Sequence, residues 1–243
     1  MASFHLSINN GKKGTAAEHA AYIARKGSHG KNKEKEDLVA LDHGNLPTWA
    51  KDDPLYFFRM SDAGERVNGA AFRELVIALP SELTQDQRHE LALECVKQQI
   101  GNKPFLVAIH SPMAALGDVP QDHLHAMWSD RVPDGIERTP EKFFNRYNSE
   151  KPELGGCKKD SGGKAPVIRK NELTTRRANC ADLQNQYLEK YGHTARVDPR
   201  SYRDRGIKKE AEKHLGAAAI KKMSAEDKAK IKDKRLKAQK KSA

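Results

Sequence analysis

His123 and His125 stand one residue apart in the stretch DHLHAMWSD, and an extended strand points both imidazoles to the same side. His110 ends a separate apolar run, PFLVAIH, and the loop SPMAALGDVPQ joins the two stretches. This order predicts two adjacent antiparallel strands that bring His110 within reach of the H-x-H pair. Three neutral imidazoles on one sheet face suit a divalent transition ion and leave coordination positions for substrate oxygens. Such an ion polarises a phosphate oxygen and offsets the charge that grows in a phosphoryl transition state. Taken singly, each histidine is better read as an ordinary surface or core residue; the spacing favours ligation. Leu124, between the two, then faces the opposite side of the sheet and the core.

The elements around these histidines can be read from pattern. SFHLSI predicts a first strand closed by the turn-prone NNGKKG. TAAEHAAYIARKG predicts a short helix, with Thr15 as N-cap, Glu18 completing a capping box and Gly27 as the stop. Residues 28–53 read as a charged loop, and FFRMSDAGERV as a short helix. AAFRELVIALP predicts a strand ended by Pro80, followed by an amphipathic helix in SELTQDQRHELALECVKQQIG with Leu91 and Cys95 inward. DGIERTPEKFFNRYN predicts a helix begun by Thr139 and Pro140. PELGGCKKDSGGKAP reads as a mobile loop, and RKNELTTRRANCADLQNQYLEKYG as a longer helix stopped by Gly192.

Together these predict an α/β (α+β) fold: a central, mainly antiparallel sheet with the histidine strands at its middle and helices packed on its faces. The chain has 243 residues and a formal net charge of +11. Residues 208–243 hold 13 Lys/Arg against 5 Asp/Glu, so residues 1–207 carry only +3. Residues 1–207 are therefore expected to form the chemical domain, and 208–243 a Lys-rich helical or disordered tail. A basic chain favours anionic partners, nucleic acid first. Three dispersed cysteines, Cys95, Cys157 and Cys180, support neither a disulfide framework nor a thiolate zinc site. MASFHLSINN lacks the basic-then-apolar order of a secretory signal, and no apolar run is long enough to cross a bilayer. A soluble, cytoplasmic bacterial protein is expected.

The H-x-H pattern resembles that of the HUH endonucleases. The stretches FHLSINNG, AAYIARKG, NGAAFRELVIALP, LVAIH, DHLHAMWSDR, DGIERTPEKFFNRYN and GHTARVDPRSYRDRGI resemble, in order, the MobA/MobL-type conjugative relaxases. The resemblance extends over roughly residues 3–207. It implies metal-dependent nicking of one DNA strand at a plasmid origin of transfer through a tyrosine nucleophile, with later religation. Tyr22 in AAYIARKG matches that position, although an aromatic in a helix is more commonly a core residue. The implied cofactor is a divalent ion such as Mn2+ or Mg2+. The implied partners are single-stranded and hairpin DNA and accessory mobilisation proteins.

Other residues follow from what this chemistry needs. A free phenol has a pKa of about 10, so only about one in a thousand is phenolate at pH 7, and activation must recover part of about 4 kcal/mol. Glu74, alone in an apolar run, is a candidate to take the phenol proton or to orient a histidine; it equally suits a strand edge without chemistry. Asp37 and Asp42 rank below it. Arg25 lies three residues beyond Tyr22 on the same helix face, beside Lys26, where it can hold a phosphate. Phe143, Arg146 and Tyr147 in PEKFFNRYN, with Arg176 and Arg177 in TTRRAN, supply aromatic and cationic groups for a strand of DNA. The plainer reading of that set is buried phenylalanine and solvated arginine. Two other functions share much of the pattern: a rolling-circle replication initiator, and a non-catalytic basic DNA-binding protein whose histidines hold a structural ion.

Overall fold

The structure is a computed structural model and describes residues 4–30, 37–114, 116, 119–208, 219–220 and 222–240. Its centre is a five-stranded sheet in the order β1-β3-β5-β4-β2, antiparallel at every pairing. The strands are β1 (Leu6–Lys12), β2 (Leu38–Gly44), β3 (Ala70–Ala78), β4 (Phe105–His110) and β5 (His123–Trp128). β3, β5 and β4 hold the middle and are largely buried, whereas β1 and β2 carry more exposed polar residues such as Asn9 and Asp42 and take the edges.

The helices are α1 (Ala16–Ile23), α2 (Pro54–Gly64), α3 (Gln85–Ile100), α4 (Pro140–Phe143), α5 (Pro166–Lys190) and α6 (Ala225–Lys240). α3 and α5 cover one face of the sheet. There Leu75, Ile77, Val107, Ile109, Leu124 and Trp128 pack with Leu91, Cys95, Cys180, Leu183 and Leu188. α1 and α2 cover the other, where Phe72, Leu106, Ala108 and Met127 pack with Ala16, Ala20, Ile23, Phe57, Phe58, Phe143 and Phe144. Cross-strand partners share a face, so the pairs His110–His123 and Ala108–His125 put all three histidines on the α1/α2 side. Leu124 lies on the other side in the core, as its alternation requires.

Several elements depart from the sequence expectations. LVALDHG, within the stretch read as a loop, is edge strand β2 and pairs with β4 from Leu38–His110 to Gly44–Phe105. β1 does not close at NNGKKG but continues to Lys12, with a register shift at Gly11. Gly11 is needed because the Phe72 ring lies across it: a Cβ there would meet the ring at 1.8 Å. PEKFFNRYN yields only one helical turn, α4, with no side-chain cap from Thr139. α5 begins three residues earlier than expected, with Pro166 in its first turn, and the chain turns at Gly192 with φ 76°.

The Gly- and Lys-rich stretch read as mobile is instead anchored. Arg131, at the start of a two-residue ribbon of Arg131–Val132 with Lys158–Lys159, is nearly buried and forks onto Glu65 of α2 at 2.8 and 3.1 Å. It also donates to the carbonyls of Asn145, Cys157 and Phe144. Gly156 can pass only without a side chain, since a Cβ would meet the Asn145 carbonyl at 2.3 Å. A buried arginine of this kind organises the backbone around it because its donors otherwise go unpaired.

α1 is capped from outside. Thr15 makes no side-chain cap and spends its hydroxyl on the Lys12 carbonyl. Asp62 of α2 accepts instead from the amides of Gly14, Ala16 and Ala17 at 2.7–3.0 Å. One carboxylate thereby satisfies the free donors of the helix start and complements its positive end. α3, by contrast, carries a full capping box between Thr84 and Gln87.

The chain divides into two compact units, Met1–Ser111 with Asp122–Pro199, and Pro112–Gln121 with Arg200–Ala243. The second contains a small turn closed by the Met113–Pro120 bridge, and α6, whose surface carries the i,i+4 ion pairs Glu226–Lys230 and Asp233–Lys237. Of the expected tail, residues 209–218, 221 and 241–243 lie outside the described residues. No helix among the described residues is long and apolar enough to cross a membrane. Replacing Asp62 by Ala is expected to destabilise the protein by about 1–2 kcal/mol, read by urea denaturation, because three amides, two of them in the first turn of α1, lose their acceptor.

Candidate metal centre and tyrosine helix

β4 ends and β5 begins at the same edge of the α1/α2 face, and there the three imidazoles converge. Ring centroids lie 4.9 Å apart for His123–His125 and His110–His125, and 5.8 Å for His110–His123. One ligand nitrogen from each ring falls within 4.8 Å of the others. The protons of two of the rings can be placed from their partners. His125 Nδ1 donates to Glu74 Oε1 at 2.7 Å, which leaves its Nε2 as the lone-pair atom. His110 Nε2 donates to the Ile23 carbonyl at 2.8 Å, so its lone pair is on Nδ1.

The electrostatics keep His110 neutral and Glu74 ionised. Burial pushes His110 down to about 4, and the nearby Arg25 charge adds to this against the Ile23 bond. Burial acts to raise the Glu74 carboxyl, but His125 and His19 outweigh it and hold it at about 2. His19 Nε2 lies 2.9 Å from the same Glu74 oxygen, close enough for an ion pair though poorly aligned for a hydrogen bond. A histidine backed by a carboxylate and presenting its other nitrogen is an arrangement suited to a metal ligand. The donor set therefore fits a divalent ion.

α1 crosses this end of the sheet. Ala16, Ala20 and Ile23 face the core, and Tyr22, on the other side of the helix, is 40% exposed. Two routes of contact join Tyr22 to the histidines. The Arg25 guanidinium carbon lies 4.7 Å from the Tyr22 ring centroid, while its Nη2 donates to His110 Nδ1 at 3.2 Å. His19 has its ring 6.0 Å from that of Tyr22 and stacks at 4.9 Å on Phe72, beside Glu74.

The sequence profile of the MobA/MobL family matches residues 18–225, most of the chain and all of this site. The chain belongs to the MobA/MobL family. It is 44% identical over 211 residues to the 43 kDa relaxation protein of Salmonella typhimurium, covering 86% of this chain and 57% of that one. It is 35% identical over 225 residues to Mobilization protein A of Escherichia coli, covering 90% of this chain and 30% of that one. The chain thus spans little more than half of the first relative and under a third of the second. A structure solved in work on the molecular basis of vancomycin resistance transfer in Staphylococcus aureus shares the fold, with a TM-score of 0.57 at 22% identity over 83% of this chain and 100% of that one.

Within this member of the MobA/MobL family the expected DNA-contacting residues separate. Lys26 and Arg146 are exposed, and Tyr147 is half-buried with the Lys158 ammonium 6.0 Å from its ring. Phe143 corrects the sequence expectation: it is 4% exposed, packed edge-on to Trp49 and Phe57, and has no face to offer a base. Arg176 and Arg177 lie on α5, across the sheet from the histidines. Arg176 donates to the Gln99 carbonyl, and Arg177 donates to the Leu6 carbonyl and lies over Phe4. They hold α5 to α3 and β1.

Sequence reasoning missed His19 and ranked Asp37 low. His19 sits three residues before Tyr22, a spacing that puts both on one helix face and was available as a signal. Asp37 precedes β2, and without that strand nothing in the sequence brings it to His110. Because Glu74 is held at about 2 against an ordinary 4.5, its contribution to stability is complete above about 4.5 and is lost as pH falls towards 2. Urea denaturation at pH 5 and pH 3 is expected to show a smaller loss of stability in Glu74→Gln than in the unaltered chain.

Proposed function

We propose that this chain is the nicking domain of a mobilisation protein, which cuts one strand of plasmid DNA at an origin of transfer and later reseals it. In the proposed reaction the Tyr22 phenolate attacks a DNA phosphorus and the bond from phosphorus to the 3′ oxygen breaks. The 3′ oxygen leaves as a hydroxyl after taking up a proton, and the 5′ phosphate stays on Tyr22 as a phosphotyrosyl ester. The bond energy is retained, so the reverse attack by a 3′ hydroxyl reseals the strand.

The observation that carries this reading is the convergence of three imidazoles beside a helix whose one exposed tyrosine shares contacts with them. His110, His123 and His125 would hold a divalent ion such as Mn2+ or Mg2+, which when bound polarises a non-bridging phosphate oxygen and offsets transition-state charge. Glu74 orients His125. With its carboxyl held at about 2 it is a weak base, and this argues against its taking the proton of a phenol of pKa about 10. Lys26, Arg146 and Tyr147 are the groups available to single-stranded or hairpin DNA. Membership of a family whose relatives are named for relaxation and mobilisation supports the same substrate, and accessory mobilisation proteins as partners.

The test is covalent trapping on labelled single-stranded oligonucleotides tiled across the plasmid DNA beside the gene. On a denaturing gel, Tyr22→Phe is expected to lower the adduct by at least about a thousandfold while DNA affinity changes by less than about threefold. An adduct that persists in Tyr22→Phe moves the nucleophile elsewhere. His123→Ala is expected to weaken Mn2+ binding at least about tenfold by calorimetry.

A further inference from the structure

Arg25 sits in a conformation that its side chain does not favour. It ends α1 with φ 51°, in the left-handed region where helices usually place glycine. There Cβ crowds the backbone, so the arginine must be held by what it touches. Four of its five N–H groups are engaged within the chain. Nε and Nη2 fork onto Asp37 at 2.9 and 2.8 Å, Nη1 donates to the Tyr22 carbonyl at 2.8 Å, and Nη2 donates to His110 Nδ1 at 3.2 Å.

The last contact matters for the histidine trio. Because His110 Nε2 donates to the Ile23 carbonyl, Nδ1 is the ring's only acceptor, and the guanidinium covers it. A lone pair cannot accept a hydrogen bond from Arg25 and coordinate an ion at the same time. Nη2 is shared between this contact and the Asp37 fork, so the guanidinium must shift relative to His110 before a cation can reach Nδ1.

We infer that Arg25 is a positioning residue that competes with a divalent cation for His110 Nδ1, so that guanidinium and cation exclude each other there. This rests on reading the three histidines as a cation site. Arg25 is then not a free phosphate clamp: four of its five donors are engaged within the chain, and cation entry releases one of them next to Tyr22. The cap keeps a neutral, buried imidazole paired, at the expense of cation affinity.

The test is calorimetric titration of the full chain with Mn2+ alone, comparing the unaltered protein with Arg25→Gly, Arg25→Gly/Asp37→Asn and His123→Ala. Glycine suits φ 51°, so Arg25→Gly removes the side chain without backbone strain. Both Arg25 variants are expected to bind Mn2+ at least about tenfold tighter, since the charge-assisted hydrogen bond no longer competes. A merely structural arginine gives the opposite sign, a loss or no change. If the unaltered chain binds Mn2+ through His123 but Arg25→Gly gains nothing, the inference fails and the cation site stands. If Arg25→Gly gains but the double variant does not, the gain is attraction to the freed Asp37 carboxylate, and the inference fails again. If neither the unaltered chain nor Arg25→Gly binds Mn2+, both readings fall. A measurement on the unaltered chain guards against a folding defect: the Arg25 side-chain 15N resonances must shift on saturation with Mg2+, and unmoved resonances contradict the cap.

Discussion

The hydrogen bond from His110 Nε2 to the Ile23 carbonyl joins the tyrosine helix to the histidine strands. It exists because of how α1 ends. A helix leaves its last carbonyls without intrahelical partners, and here the chain turns away at Arg25, with Lys26 reaching back only to Ala21. The Ile23 carbonyl is therefore left facing β4, and His110, fully buried, supplies the donor. That one contact fixes the tautomer of His110, the approach of the helix and the placement of Tyr22 on the outer side.

The remaining architecture serves to keep this junction in place. Asp62 holds the start of α1 from α2, and α2 is in turn held through Glu65 to Arg131 and the anchored 143–159 segment. Phe72, lying flat over Gly11, supports the ring of His19 against Glu74. The apolar α3/α5 face carries the conventional core, while the α1/α2 face gives up part of its apolar area to a polar network at one end. His110 and His125 are each paired to a group that sets the ring's proton, which is what makes a buried polar cluster tolerable.

The strands with period-two patterns were legible from sequence, and so was the face shared by His123 and His125, because alternation leaves no choice of side. His110 was legible as the end of an adjoining apolar strand. β2 was not, since LVALDHG lies between charged stretches and carries no clean alternation, and Asp37 was obscured with it. The cap of α1 misled for a related reason: Thr15 and Glu18 form a good local motif, but a carboxylate 46 residues away in the chain wins the amides. Phe143, Arg176 and Arg177 show the limit of composition. Aromatic and basic residues in one stretch describe a DNA surface as well as they describe a core and its ties, and only packing separates the two.

The central claim is that Tyr22 becomes covalently joined to DNA beside an ion held by three histidines. The most direct measurement is mass mapping of peptides after incubating the chain with Mn2+ and single-stranded DNA carrying the proposed origin of transfer. The account predicts a nucleotide mass on the peptide that contains Tyr22. A nucleotide on any other tyrosine, or cleavage of the DNA with no peptide modified, contradicts it.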